Sequence, residues 1–160
     1  MSALSVADHS VSPPRIDIPR DYNAAHDLLE RNLRAGRGGK IAYIDDYESC
    51  TYAQLAERVN RFAHALCGLG LQMEQRVLLC LLDTIDFPVA FLGAIKAGIV
   101  PVATNTLLTS ADFEYILNDS RARALFLARS REWAGRWSGI TISTPCGSLP
   151  RSASSSRTPF

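Results

Sequence analysis

Six consecutive apolar residues, Val77-Leu78-Leu79-Cys80-Leu81-Leu82, constrain this chain more than any other feature. A strand with one wet face alternates apolar and polar residues. An unbroken run of strand length instead suits a strand covered on both faces, as in a parallel sheet. The next residues agree. Asp83 and Thr84 are helix-capping types, and the spacing predicts a helix over 85–97. Pro88 falls in its first turn, where proline is tolerated. This helix is apolar nearly all round, through Phe87, Val89, Ala90, Phe91, Leu92, Ala94 and Ile95, so it belongs inside a larger body. Gly98 then turns the chain into a short apolar strand over 99–103. A helix over 109–118 carries Phe113, Ile116 and Leu117 on one face, and a strand over 124–128 follows. With right-handed crossovers, this β-α-β-α-β run makes a parallel sheet with helices packed on it, an α/β class. Asp83 and Asp86 read as capping acids, because paired acid catalysis needs a cleft that the sequence does not show.

Upstream, residues 1–20 read as a loose leader rich in Pro and polar residues. Asn23 can cap a helix that runs to about Ala35 and stops at Gly36, with Ala25, Leu28, Leu29 and Leu33 on one face. His26 lies in its first turn and reads as an exposed side chain. Arg37-Gly38-Gly39-Lys40 reads as a linker turn. A phosphate loop needs a preceding strand and a Gly-Lys-Ser/Thr ending, and here Lys40 is followed by Ile41. Residues 41–44 and 47–50 read as two short strands around an Asp45-Asp46 turn. Thr51-Tyr52-Ala53-Gln54 is a capping box. The helix it opens carries Leu55, Val59, Phe62, Ala63 and Leu66 on one face and ends at Gly68 and Gly70. That Gly-x-Gly precedes a strand, so it is no dinucleotide fingerprint. His64 and Cys67 on this helix read as structural residues.

The net charge of +1 offers no strong field for nucleic acid or membrane, but it hides a split. Residues 1–128 hold 12 Lys and Arg against 15 Asp and Glu, a net of −3, and residues 129–160 hold five Arg against one acid, Glu132, a net of +4. The last segment also holds eight Ser and both Trp residues, without sustained periodicity. It reads as an unrelated run, either a disordered tail or translation in a shifted frame, the second favoured by the abrupt loss of acids. No apolar stretch is long and uncharged enough to span a membrane, and residues 1–20 lack the apolar core of a signal peptide. Cys50, Cys67, Cys80 and Cys146 show no C-x-x-C spacing. They read as thiols of a reducing, cytoplasmic compartment, with no metal site.

Three segments, in order, carry a resemblance. Thr51-Tyr52-Ala53-Gln54-Leu55, followed by Arg58, Ala63, Leu66 and Gly70, is similar to the T-Y-x-E/Q-L helix of adenylate-forming acyl- and aryl-CoA synthetases. Gln75-Arg76-Val77 resembles the start of their first buried strand. Residues 94–105, Ala-Ile-Lys-Ala-Gly-Ile-Val-Pro-Val-Ala-Thr-Asn, resemble their A-G-x-x-P-x-x-x-N segment. Tyr22-Asn23-Ala24-Ala25, Ala42-Tyr43-Ile44-Asp45-Asp46, residues 83–94 and residues 105–109 look most like benzoate–CoA ligases. The resemblance covers roughly residues 20–127, which reads as the N-terminal part of the family's large domain.

The resemblance implies a two-step reaction. A carboxylate attacks the α-phosphate of ATP, with Mg present, to give an acyl-adenylate and pyrophosphate; the thiol of CoA then displaces AMP. The family's Thr/Ser-Gly-rich phosphate loop, Tyr/Thr-Glu segment, ribose-binding Asp, hinge and C-terminal Lys do not occur in this sequence. Some relatives place a basic residue just after the P-x-x-x-N segment, against a CoA phosphate. Here that stretch is Thr106-Leu107-Leu108. The site residues expected from these 160 positions are therefore none: no catalytic, cofactor-binding or metal-ligating side chain. The reading is a truncated aromatic acid–CoA ligase, itself inactive and binding ATP, Mg and CoA poorly. The alternative is a non-catalytic interaction module that reuses the scaffold. The parent's partners are an aromatic carboxylate and CoA, with no nucleic acid and no membrane.

Overall fold

The first four residues of the apolar run, 77–80, lie in a strand inside a sheet, while Leu81 and Leu82 fall in the loop after it. The computed structural model describes residues 4–127 and 140–142. Its elements are β1 (Val6–Asp8), β2 (Arg15–Asp17), α1 (Ala24–Arg34), β3 (Ile41–Ile44), β4 (Ser49–Thr51), α2 (Tyr52–Gly68), β5 (Arg76–Cys80), α3 (Asp86–Lys96), β6 (Val100–Ala103), α4 (Ser110–Ser120), β7 (Ala124–Leu127) and β8 (Ile140–Ile142). The main sheet has the order β6-β5-β7-β8. β6 and β7 run parallel to β5, as the β-α-β-α-β pattern predicts, and β8 pairs antiparallel with β7.

One face of this sheet carries the core. Val77 and Leu79 of β5 and Ala124 and Phe126 of β7 join Leu55, Val59, Phe62 and Leu66 of α2 and Val89, Ala90 and Ala94 of α3. The Phe62 and Phe126 rings lie 5.1 Å apart between centroids. α2 and α3 approach closely at Gly93, where a Cβ would stand 2.7 Å from Phe62 Cδ1 and 3.2 Å from the Val59 carbonyl oxygen. The contact explains a glycine inside a helix, where it costs about 1 kcal/mol relative to alanine.

Among the described residues the other face is unevenly covered, with Leu78 and Cys80 buried on it. The connections β5-α3-β6 and β6-α4-β7 cross the sheet in opposite directions, so the right-handed rule places α3 and α4 on opposite faces. Leu78 is fully buried but stands apart from the main cluster. α4 nevertheless buries no residue; Phe113, Ile116 and Leu117 are only half-buried. Val100 and Leu127, which share the Leu78 face by register, are each 44% exposed. On β6, the amides of Val100 and Thr104 donate to Gln75 and Leu79 of the β5 side. Alternation then points the position of Pro101, which has no N–H, away from β5.

Helix starts follow the sequence closely in two places. At α2 the Thr51 hydroxyl accepts from Gln54 N at 3.3 Å, and Gln54 Oε1 accepts from Thr51 N at 2.9 Å. At α1 the Asn23 side chain accepts from His26 N at 3.0 Å and donates to the Ile95 carbonyl at 2.8 Å, tying α1 to the end of α3.

Three expectations need correction. The leader over 1–20 contains an antiparallel hairpin, β1 against β2, with Val6 opposite Asp17. Ser5 anchors it to α1 by donating from N and Oγ to the buried Asp27 carboxylate, which Arg31 also holds. Asp83 and Thr84 do not cap α3 with their side chains; the α3 start has no cap of its own, and Asp45, 40 residues upstream, supplies the acceptor. His26 is half-buried rather than exposed, and its Nε2 is buried without a hydrogen-bond partner. The unrelated run read at 129–160 lies outside the described residues except for β8.

Candidate functional site

In open α/β sheets, ligands bind outside the carboxyl ends of the strands, where successive crossovers leave for opposite faces. Here that place is the rim between β5 and β6, built by residues 81–85 and 104–109. Beside it, between β3 and the start of α3, lies a shallow cleft of about 210 Å³ lined by Tyr43, Asp45, Asp83, Thr84, Phe87 and Pro88 among others.

Asp45 organises this corner. Its Oδ2 accepts from Ile85 N at 2.9 Å, and its Oδ1 accepts from Tyr47 N at 2.9 Å and Glu48 N at 2.8 Å. The Ile85 amide first, then those of Glu48 and Tyr47, hold its carboxyl below the usual aspartate range. Beside it Arg58 of α2 makes a bidentate pair with Glu48, at 2.5 and 2.8 Å. That pairing keeps the guanidinium firmly protonated. Asp86, at the start of α3, still presents surface to water, yet its carboxyl is pushed up. Desolvation is the main cause; Arg58 opposes it, while Glu48 and Asp45 add to it. Sequence spacing does not reveal this cluster of three acids and one arginine, because its members come from a hairpin turn, a helix middle and a helix start.

The polar groups of the second rim loop serve the backbone. Thr104 N and Oγ1 both donate to the Leu79 carbonyl, at 2.9 and 3.2 Å. Asn105 Oδ1 accepts from Leu107 N, and Thr109 forms a capping box with Asp112. The Arg37–Lys40 turn is likewise structural: Ala53 N donates to the Gly38 carbonyl and Tyr52 N to the Lys40 carbonyl, seating the turn on the start of α2. His64 and Cys67 are exposed on α2, and Cys50 is buried with its thiol pushed up by desolvation. Cys146 lies outside the described residues.

These residues do not fit ATP, Mg or CoA. Neither rim loop contains a glycine, so neither can bring backbone amides close around a phosphate as a phosphate loop does. No cation follows β6 before α4. Among the described residues no three His, Cys, Asp or Glu side chains stand where they could hold a metal ion.

The sequence profile of the AMP-binding enzymes matches residues 29–149. The chain belongs to that family. It is 62% identical over 130 residues to the benzoate–CoA ligase of Thauera aromatica, a match covering 81% of this chain and 25% of that protein. It is 52% identical over 107 residues to a 4-hydroxybenzoate–CoA/benzoate–CoA ligase of Rhodopseudomonas palustris, covering 67% of this chain and 20% of that one. Among solved structures, a benzoate CoA ligase from Burkholderia xenovorans LB400 superposes with a TM-score of 0.64 at 54% identity, over 66% of this chain and 21% of the other. The chain thus spans about a quarter or less of the relatives it matches. Its family match runs past the composition break near residue 128.

Proposed function

We propose that this chain is the first section of an aromatic acid–CoA ligase, whose whole polypeptide joins benzoate or a close relative to CoA through an acyl-adenylate at the expense of ATP. The 62% identity to the Thauera benzoate–CoA ligase carries the reading. Residues 4–127 serve as scaffold. They form the first parallel strands and outer helices, and the Asp45–Ile85 bond fixes the rim loop after β5. No chemical step is assigned to them, because the nucleotide, metal and CoA groups of the reaction find no matching donor set there. The 160-residue chain alone is catalytically silent.

Two experiments test this. In the first, residues 1–127 replace the matching stretch of the Thauera ligase in one polypeptide; benzoyl-CoA formation is expected, and an inactive but folded chimera overturns the assignment. In the second, the purified 160-residue chain is assayed with benzoate, ATP, Mg and CoA; any enzyme-dependent benzoyl-CoA sinks the claim of silence. We further propose that the basic, serine-rich run after 128 is a shifted reading frame. The gene read in its other frames beyond the codon for Leu127 should then restore a Thr/Ser-Gly phosphate loop downstream. Its absence in every frame counts against the shift.

A further inference from the structure

We infer that the open edge of β2 is a self-recognition site, at which two copies of this chain pair antiparallel about a two-fold axis through Ile16. The carrying observation is that the strand is its own complement. Reversed against itself in that register, Arg15-Ile16-Asp17 sets Arg15 of each copy opposite Asp17 of the other, with the two Ile16 residues opposite one another. Within the chain, β1 already sets Asp8 opposite Arg15. Positions opposite one another on neighbouring strands share a face, so pairing extends this row. It then runs Asp8, Arg15 and Asp17 of the second copy, alternating in sign across three strands, and symmetry repeats it. The other face brings together Ala7 and Ile16 of both copies. Opposite charges facing across a ladder favour pairing, and like charges oppose it.

The hairpin is one that needs a neighbour. A lone two-stranded hairpin is marginal in water, and further strands are what stabilise it. Among the described residues β1 and β2 form a sheet of two strands, with every position exposed. Ile16 and Ile18 are 63% and 58% exposed. The hairpin is nonetheless held in place, because Ser5 ties its first strand to Asp27 of α1. Among the described residues no backbone hydrogen bond from outside the hairpin occupies the β2 edge. β1 offers no equivalent edge: reversed on itself, Val6-Ala7-Asp8 sets an apolar residue against an acid. Pro14 and Pro19 lack an N–H and confine the new ladder to residues 15–18, so the dimer is weak. The pairing uses the same edge of both copies and therefore closes at two.

The test follows the full 160-residue chain by sedimentation over a wide range of concentration. A reversible monomer–dimer equilibrium is expected, weakening as salt rises. Asp17 faces the uncharged Val6 inside the hairpin and meets Arg15 only across the two-fold axis. Asp17→Arg should therefore weaken the dimer about tenfold without disturbing the hairpin. A second variant carries Arg15→Asp with Asp8→Arg, which keeps the opposite charges inside the hairpin and sets acid against acid across the axis. It should dimerise as poorly as the first. Mixed together, the two variants should form a heterodimer as tight as the parent dimer, because every pair across the axis is again of opposite sign. A folding defect cannot produce that rescue. A chain that stays monomeric overturns the proposal. So does self-association that Asp17→Arg leaves unchanged, because the second copy then docks elsewhere, and so does a mixture that associates no better than either variant alone.

Discussion

Gly93→Ala tests the tightest contact in the core. The added Cβ would stand 2.7 Å from Phe62 Cδ1, 3.1 Å from Phe62 Cβ and 3.2 Å from the Val59 carbonyl oxygen. Two of these three atoms belong to α2 positions with little freedom: the Phe62 Cβ is fixed to its backbone, and the Val59 oxygen is backbone itself. The ring cannot simply swing aside, because it packs on Phe126 at 5.1 Å. Relief therefore requires α2 and α3 to separate. Overpacking of this kind costs about 1–3 kcal/mol. Alanine returns about 1 kcal/mol of helix propensity. With contacts this short, the net expectation is a loss of about 1–2 kcal/mol. Gly68→Ala is the matched control. It ends α2 with nothing within 4 Å of the new Cβ, so the same substitution should stabilise by about 0.4–1 kcal/mol. Urea unfolding followed at 222 nm reads both. Pairing Gly93→Ala with Phe62→Leu should cost less than the sum of the two, since the smaller side chain removes the shortest contact. A Gly93→Ala variant as stable as the parent, or strictly additive with Phe62→Leu, refutes the argument.

Other expectations concern the caps, one turn and the charges. Thr51→Ala removes half of the α2 capping box and should cost about 1 kcal/mol by urea midpoint. Gly98 holds a φ of +75° with Met73 Cγ 3.2 Å from a would-be Cβ, so Gly98→Ala should cost about 1–2 kcal/mol in the same assay. Asp45 has its carboxyl held below the ordinary value of 3.8, so its contribution is full above 3.8 and fades as pH falls through the lower folded value. Asp45→Asn should therefore destabilise at pH 7 and progressively less below 3.8. Asp86 has the opposite sign. Its carboxyl is raised, so ionisation costs stability above the folded value and nothing below 3.8. Asp86→Asn should stabilise at pH 7 and lose that gain below 3.8, both read by urea midpoints across pH.

The parts of the fold legible in the sequence are those set by near neighbours. The α2 boundaries follow from a cap and an apolar stripe within 17 residues, and β5 follows from five consecutive positions of which four are buried. The α3 start is not legible locally: Asp83 and Thr84 are chemically able to cap it, while the acceptor that serves it arrives from a hairpin 40 residues away. The β1–β2 hairpin is not legible in the sequence because its strands are three residues each and wholly exposed, with no alternation of burial. His26 is half-buried, which helix position alone does not predict. The rim between β5 and β6 follows from the strand order β6-β5-β7, which the β-α-β-α-β pattern alone does not fix; it and the Asp45, Glu48, Arg58 and Asp86 cluster both required the fold.

Pro101 gives the sheet a direction of growth. On the side of β6 away from β5, a strand seeking a partner would meet one missing hydrogen where a ladder expects a donor. Among the described residues the sheet extends instead past β7, where β8 adds. A chain that leaves apolar surface in water is most dangerous when an open strand edge lies beside it, because edge pairing turns weak adhesion into fibres. A single proline on that border means that two copies meeting there can adhere but cannot readily knit, so the segment carries its own safeguard against growth from that edge.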